Sequence, residues 1–144
     1  SVLIYSVSSS PAESAKKERA LELIVHTDFG LSAQVLQEFY ENVTRKIAKP
    51  LAPDAAVALL EQLRSFPMVP TDYPLIVAGV EKSLRFGISY WDGAIIAAAE
   101  CLGATTLYTE DLSNGQHYGS VQSVNPFLSA TPDSVHEIRG PRYG

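Results

Sequence analysis

Apolar and polar positions along this chain switch between a helical spacing and a strand-like one. The clearest helical pattern lies between residues 33 and 48, where apolar side chains recur every three or four positions. They are Val35, Leu36, Phe39, Val43 and Ile47. Between the helical segments lie short β-branched and aromatic runs, which indicate buried strands. This alternation predicts an α/β fold.

Capping residues, prolines and glycines set the predicted boundaries. The predicted helices cover residues 10–25, 33–48, 53–64, 72–86 and 89–102. The predicted strands cover residues 2–5, 29–32, 68–69, 105–109 and 121–124. Asn114-Gly115 should form a turn, and residues 128–144 should be loosely held because they are rich in Pro, Gly and polar residues. Because there is no internal repeat or linker, we predict one domain over residues 1–144.

The composition of the chain limits the classes of protein to which it can belong. The chain has 144 residues, of which 46% are hydrophobic and 19% charged, as in ordinary globular domains. Its apolar runs are shorter than the ~18 residues of a membrane span, and it does not open like a signal peptide. We therefore expect a soluble cytoplasmic protein that makes no contact with a membrane.

The cysteine, the histidines and the tryptophan do not by themselves indicate a chemical function. Cys101 is the single cysteine and follows three alanines, so it should be a buried thiol. The three histidines have no zinc-site spacing and do not pair with Cys101. Trp91 is expected in the core rather than as a platform for stacking bases.

The net charge of -5 argues against binding nucleic acid through overall positive charge. Two basic clusters could still contact phosphates locally: Lys16, Lys17 and Arg19, and then Arg45, Lys46 and Lys49. A solvated helix face is the more ordinary interpretation of each cluster.

The acidic residues carry the strongest chemical signal. Asp92 lies in the first turn of a predicted helix, and Glu110 and Asp111 follow a predicted strand. In open parallel sheets the cleft lies beyond the carboxyl ends of the strands. Clustered carboxylates repel unless a cation offsets their charge, and magnesium suits such ligands because it keeps several waters. Phosphodiester hydrolysis is therefore the first reaction to consider.

Each acid also has an ordinary structural interpretation. Asp92 follows Ser89 by three positions, so the pair could form a capping box. Glu110 and Asp111 could belong to a polar turn. Glu38 lies at the border of the apolar stripe of its helix, where a solvated residue is common. Residue spacing alone leads only as far as an α/β domain with a candidate acidic metal site.

Four ordered segments resemble the PIN-domain family, and specifically the toxin half of VapBC-type toxin–antitoxin pairs. They are Leu31 to Tyr40, Ser89 to Asp92, Leu107 to Leu112, and Val124 to Phe127. The resemblance runs from Ser1 to about Phe127. It implies a PIN-like α/β/α sandwich with a central parallel sheet.

The resemblance also implies an activity and a site. Glu38, Asp92 and Asp111 would surround Mg²⁺ or Mn²⁺, with Asp92 and Asp111 closest and Glu38 orienting an attacking water. Thr109 would be a supporting hydroxyl, and Glu110 matches a variable position. The implied function is that of an endoribonuclease toxin that cleaves RNA, is neutralised by a cognate antitoxin and forms a homodimer.

The start of the chain departs from this family pattern. In the family an aspartate ends the first strand, and the pattern would place it two positions before Ser1. That acid and its central strand are missing from the sequence, and Val2 to Tyr5 resembles the family's first short helix. We expect an incomplete N-terminus; a chain complete as it stands should be less stable and have a weakened metal site.

Two other functions stay open. A non-catalytic PIN-like module could bind an antitoxin or RNA without cutting it. A flavodoxin-like domain could instead accept a phosphoryl group on one of its acids.

Overall fold

A computed structural model describes residues 11–128 and 142–143. A single 3₁₀ turn, Pro11–Glu13, leads into the first of the helices. The helices are α1 Ser14–His26, α2 Ala33–Arg45, α3 Pro53–Leu63, α4 Tyr73–Phe86 and α5 Tyr90–Cys101. The strands are β1 Phe29–Ser32, β2 Met68–Val69, β3 Thr106–Tyr108, β4 His117–Tyr118, β5 Val121–Val124 and β6 Arg142–Tyr143. The predicted strand at 2–5 and the resemblance of that segment to a short helix lie outside the described residues.

Local capping explains where three of the helices begin. The side chains of Ser32, Asp72 and Ser89 accept hydrogen bonds from backbone N–H groups in the first turns of α2, α4 and α5. Gly87 ends α4 with φ +64°, a left-handed conformation that glycine adopts without steric cost. The helix predicted over 33–48 ends earlier, at Arg45.

The strands of the described chain form one sheet in the order β2-β1-β6-β3-β5-β4. β2, β1, β6, β3 and β5 pair in parallel, and β4 pairs antiparallel with β5. The predicted α/β class with a parallel sheet is confirmed. The short strand β4 was not predicted from the sequence.

The middle of the sheet holds a strand from the far end of the sequence. β6 lies between β1 and β3 and pairs in parallel with both, with Gly30 opposite Tyr143 and Leu107 also opposite Tyr143. No strand was predicted at residues 142–143, which belong to the segment expected to be loosely held. Residues 129–141, which fall in the segment expected to be loosely held, lie outside the described residues.

The core lies between the sheet and α5. Gly93, Ala94 and Ile96 to Ala99 are buried on α5, which packs against β1, β3 and β5. Phe39 and Val43 of α2 are almost completely buried and belong to the same core. Small side chains on α5 let it approach the sheet closely, and this fixes where its first turn lies.

Two expectations about α5 were wrong. Cys101 is exposed, because it is the last residue of the helix, where the helix leaves the core. Trp91 is 65% exposed because its position near the start of α5 faces away from the buried alanines, and its ring contacts Tyr90 edge to face at 5.2 Å.

Candidate functional site

The candidate site is built at one edge of the parallel sheet. Strands β1, β3 and β5 run in the same direction, so their carboxyl ends share that edge. β1 leads directly into α2, which carries Glu38. β3 leads into Thr109, Glu110 and Asp111, as predicted. Clefts in open α/β sheets lie beyond this kind of edge.

Thr109 holds the segment after β3 in place. Its backbone N–H donates to the carbonyl oxygen of Val124 at 3.0 Å, which ties the segment to the end of β5. Its side-chain Oγ1 accepts from the backbone N–H of Asp111 at 3.1 Å. This contact across two residues is a local turn that favours one backbone geometry at Asp111. Asp111 itself is exposed at the edge of the sheet.

Asp92 lies at the start of α5. Ser89 Oγ accepts a hydrogen bond from the Asp92 backbone N–H at 3.1 Å, so the serine hydroxyl caps this end of the helix. The serine half of the predicted capping box is thus confirmed, and it uses the backbone N–H of Asp92 rather than the Asp92 carboxylate. The Asp92 side chain is half-buried in the first turn, where the helix dipole favours a negative charge.

Gln34 connects Glu38 with the start of α5. Gln34 Nε2 lies 3.3 Å from Glu38 Oε1 and 3.4 Å from the carbonyl oxygen of Trp91, and it donates to both. Gln34 therefore links Glu38 to the first turn of α5, which carries Asp92. Sequence reasoning gave Gln34 no role, although its spacing of four residues from Glu38 on one helix was a usable signal.

Two basic residues of α1 contact the same edge. Lys16 Nζ forms an ion pair with Glu110 Oε2 at 3.0 Å. Arg19 Nε donates to the Pro126 carbonyl oxygen at 3.2 Å, and its Nη1 lies 3.4 Å from Glu22 Oε1. These contacts hold α1 against the segments that follow β3 and β5. Glu110 is thus paired with a cation of the protein.

The acidic side chains of the described residues do not form a complete metal-binding site. Among residues 11–128 and 142–143, no group of three or more His, Cys, Asp or Glu side chains is placed so that it could hold a metal ion. Glu38, Asp92 and Asp111 nonetheless have the oxygen ligands that magnesium prefers. Magnesium is commonly bound by one or two carboxylates, with waters and substrate phosphates completing its shell. The carboxylate oxygens of these acids are the type of ligand that magnesium binds, although the described residues do not bring three such side chains together.

A cavity lies away from the candidate acids, between α2, α3 and β2. Its volume is about 590 Å³. Its lining is mostly apolar, and the residues are Leu36, Gln37, Tyr40, Glu41, Leu60, Arg64 and Met68. None of the candidate acids lines it, so cavity size does not identify the chemical site.

Comparison with known families agrees with the fold. The model of the PIN-domain family matches residues 1–113. The chain therefore belongs to the PIN-domain family, whose members are generally metal-dependent nucleases. The matched range includes Glu38, Asp92 and Asp111. No curated protein matches the chain.

None of the helices in the described part of the chain combines the length and the apolar character needed to cross a membrane.

Proposed function

We propose that the protein is a metal-dependent endoribonuclease toxin that is neutralised by a cognate antitoxin. One observation supports the catalytic half of the proposal above the others. Gln34 donates both to Glu38 and to the Trp91 carbonyl in the first turn of α5, which carries Asp92, and so connects the helix after β1 with the helix before β3, the strand that leads to Asp111. In a member of a nuclease family, acids at such an edge are the groups to which catalysis is first assigned.

The roles follow the sequence prediction. Asp92 and Asp111 are proposed as the closest ligands of Mg²⁺ or Mn²⁺, directly or through water. Glu38 is proposed to orient the attacking water, and Thr109 to hold Asp111 through the hydrogen bond from its backbone. When bound, the ion would polarise the phosphate and make a bound water more acidic.

Fewer observations support the proposed partners than the proposed catalytic residues. RNA as the substrate and a cognate antitoxin both come from the resemblance to VapBC-type toxins, whereas the proposed cytoplasmic location comes from the composition of the chain. The net charge of -5 requires that phosphates be bound locally rather than by the overall field. Arg45 lies 3.6 Å from Glu41 on α2, and Lys16 is paired with Glu110, so neither basic cluster is a bare cationic surface.

A second candidate is a non-catalytic PIN-like module that binds RNA or an antitoxin. The observation that favours it is the lack, among the described residues, of three acidic or other ligand side chains placed to hold a metal. Metal binding and cleavage distinguish the two candidates directly.

The test of the proposed function combines an RNA-cleavage assay with a metal titration. Purified chain is incubated with RNA in Mg²⁺, in Mn²⁺ or in chelator, beside a version extended before Ser1 by a family-like strand ending in Asp-Thr. We expect cleavage only with metal, together with Mn²⁺ binding that Asp111→Asn weakens by about 10-fold or more. Asp54→Asn, on α3, is the control and should leave Mn²⁺ binding unchanged. A folded, extended protein that neither binds metal nor cuts RNA would favour the binding module.

We predict a separate effect for Gln34→Ala. The change removes the contacts to Glu38 and to the Trp91 carbonyl, so Glu38 should sample more positions and cleavage should slow by about 10-fold. Stability should change by less than about 0.5 kcal/mol, because surface substitutions of this kind have small effects. Cleavage rates and urea unfolding curves check both parts. Gln37→Ala, one turn away on α2, serves as the control, and equal slowing in both variants would contradict the role of Gln34.

A further inference from the structure

The indole ring of Trp91 is exposed next to one of the candidate acids. Trp91 is the second residue of α5 and directly precedes Asp92, and its side chain is 65% exposed. Tryptophan is a large apolar side chain, so leaving it in water forgoes the stabilisation that burial would give. The buried face of α5 is filled mainly by small side chains, and the fold does not use this ring as part of its core. The ring is therefore accessible to a ligand.

A neighbouring ring supports the indole. Tyr90, which is partly buried, contacts Trp91 edge to face, with the ring centroids 5.2 Å apart and the ring planes at 74°. Tyr90 is itself packed against α4, because a Cβ atom at Gly79 would lie only 3.0 Å from Tyr90 Cε1. An aromatic ring that is already supported loses little freedom when a flat group stacks on it, and this favours affinity.

The backbone of Trp91 is part of the candidate site. Its carbonyl oxygen accepts from Gln34 Nε2, the same group that donates to Glu38. The next residue is Asp92, and consecutive Cα atoms are about 3.8 Å apart. A flat group on the Trp91 ring would therefore lie close to whatever binds at Asp92. In a nucleic acid, the flat group nearest to a phosphate is a nucleobase.

The charges of the protein leave a role for stacking. The net charge is -5, Lys16 is paired with Glu110, and Arg45 is paired with Glu41. A protein with this charge distribution that binds a polyanion must gain affinity from a source other than charge. Stacking of bases on aromatic side chains is such a source, and it accepts every base because each has a flat face.

We propose that the Trp91 ring is a stacking platform for an unpaired RNA base next to the phosphate that binds at Asp92. The inference rests on the proposed function, since it takes RNA as the ligand, but it concerns binding and not the chemical step. Unpaired bases in loops and single strands can be splayed out onto an aromatic ring, whereas bases in a duplex are stacked on one another. The platform therefore directs the site toward single-stranded RNA.

Fluorescence of the full chain tests the platform directly. Trp91 is the single tryptophan of the sequence, so its emission reports on this ring alone. The probe is an oligoadenylate of about 15 nucleotides, within the span that one single-strand binding groove contacts. It is titrated in chelator and again in Ca²⁺, which offsets the charge of the acids, and electrophoresis checks that the RNA stays intact. We expect saturable quenching by the single strand and roughly 10-fold weaker binding of a duplex of the same length.

Substitutions of Trp91 separate stacking from other contacts, with binding measured by the fluorescence anisotropy of dye-labelled oligoadenylate. Trp91→Ala should weaken binding by roughly 10-fold or more, whereas Trp91→Phe keeps a flat ring and should stay within about 3-fold of the wild type. Tyr73→Ala is the matched control. Tyr73 is 78% exposed on α4, and its neighbour Pro74 lines a cavity with Cys101 at the far end of α5, so this change should leave RNA binding unaltered. Thermal unfolding of each variant checks that the fold is retained.

Three results would overturn the proposal, and they are distinguishable. RNA binding that Trp91→Ala leaves intact would remove the platform and leave the proposed nuclease in place. A wild-type chain that binds no RNA in either condition would remove the platform together with RNA as the ligand, and so the proposed function as well. Trp91 emission that responds to the concentration of the chain but not to RNA would assign the ring to a contact with protein.

Discussion

Replacing Asp92 with Asn is expected to slow metal-dependent RNA cleavage by about 100-fold or more while the protein stays folded. Asn has nearly the same size as Asp, and the Ser89 cap uses the backbone N–H of residue 92, so the start of α5 should keep its hydrogen bond. The change removes one negative charge from the edge of the sheet. A proposed metal ligand depends on that charge, whereas a capping residue does not.

Asp54→Asn is the matched control for this prediction. Asp54 is also an acid in the first turn of a helix, at the start of α3, and it is exposed. Both substitutions lose a favourable interaction with a helix dipole, worth about 0.3–1 kcal/mol. An effect that acts through stability alone should therefore be similar in the two variants. Initial rates of RNA cleavage and urea unfolding of both variants separate the alternatives. Cleavage retained by Asp92→Asn, or lost equally in Asp54→Asn, would rule out Asp92 as a catalytic ligand.

Gly93→Ala is expected to lower the free energy of unfolding by about 3 kcal/mol. A Cβ atom at residue 93 would press against the carbonyl oxygen of Gly79 and lie 2.8 Å from the backbone nitrogen of Ser83. Both obstacles are backbone atoms of α4, which cannot turn aside as a flexible side chain would. The added methyl group must therefore separate α4 from α5, two helices that pack closely along their length.

Helix propensity alone predicts the opposite sign for this substitution. Alanine is favoured over glycine inside a helix by about 1 kcal/mol. Gly87→Ala is the control, because a Cβ there meets no atom within 4 Å and the cost comes only from φ +64°. That backbone strain should cost about 1 kcal/mol. Equilibrium urea unfolding of the wild-type protein and of both variants measures these effects. A stabilised Gly93→Ala variant would show that a Cβ atom at residue 93 does not force α4 and α5 apart.

The same helix contact links stability to the candidate site. Gly93 follows Asp92 directly, and the first turn of α5 holds the Trp91 carbonyl that accepts from Gln34. A displacement of α5 from α4 would therefore also move Asp92 relative to Glu38. For this reason the catalytic test uses Asp92→Asn, which leaves the packing of Gly93 unchanged.

Much of the fold could be predicted because its signals are local. Ser32, Asp72, Ser89 and Gly87 act within one helical turn of their own position, and each marks the expected boundary. The acids could be nominated in the same way, from the end of a strand and the start of a helix. The end of α2 was placed too late because apolar spacing continues to Ile47, although the helix stops at Arg45.

Contacts between distant positions could not be predicted in this way. Lys16 was a candidate phosphate-binding residue by sequence, but it pairs with Glu110, 94 positions away. Gln34 reaches the Trp91 carbonyl across 57 positions. Cys101 and Trp91 have apolar neighbours in sequence and yet are exposed, because exposure depends on which face of α5 meets the sheet.

The sequence by itself determined the helices, four of the six strands of the described chain, the order of these elements and the acids nominated for the site. Capping, periodicity and turn chemistry depend on residues within a few positions of one another, so they can be read before the chain folds. Only the tertiary structure decided that β6 lies between β1 and β3, that Gln34 connects Glu38 to α5, and that the Trp91 ring is exposed. These features depend on which distant surfaces pack together, and that choice is made by the burial and pairing of the whole chain.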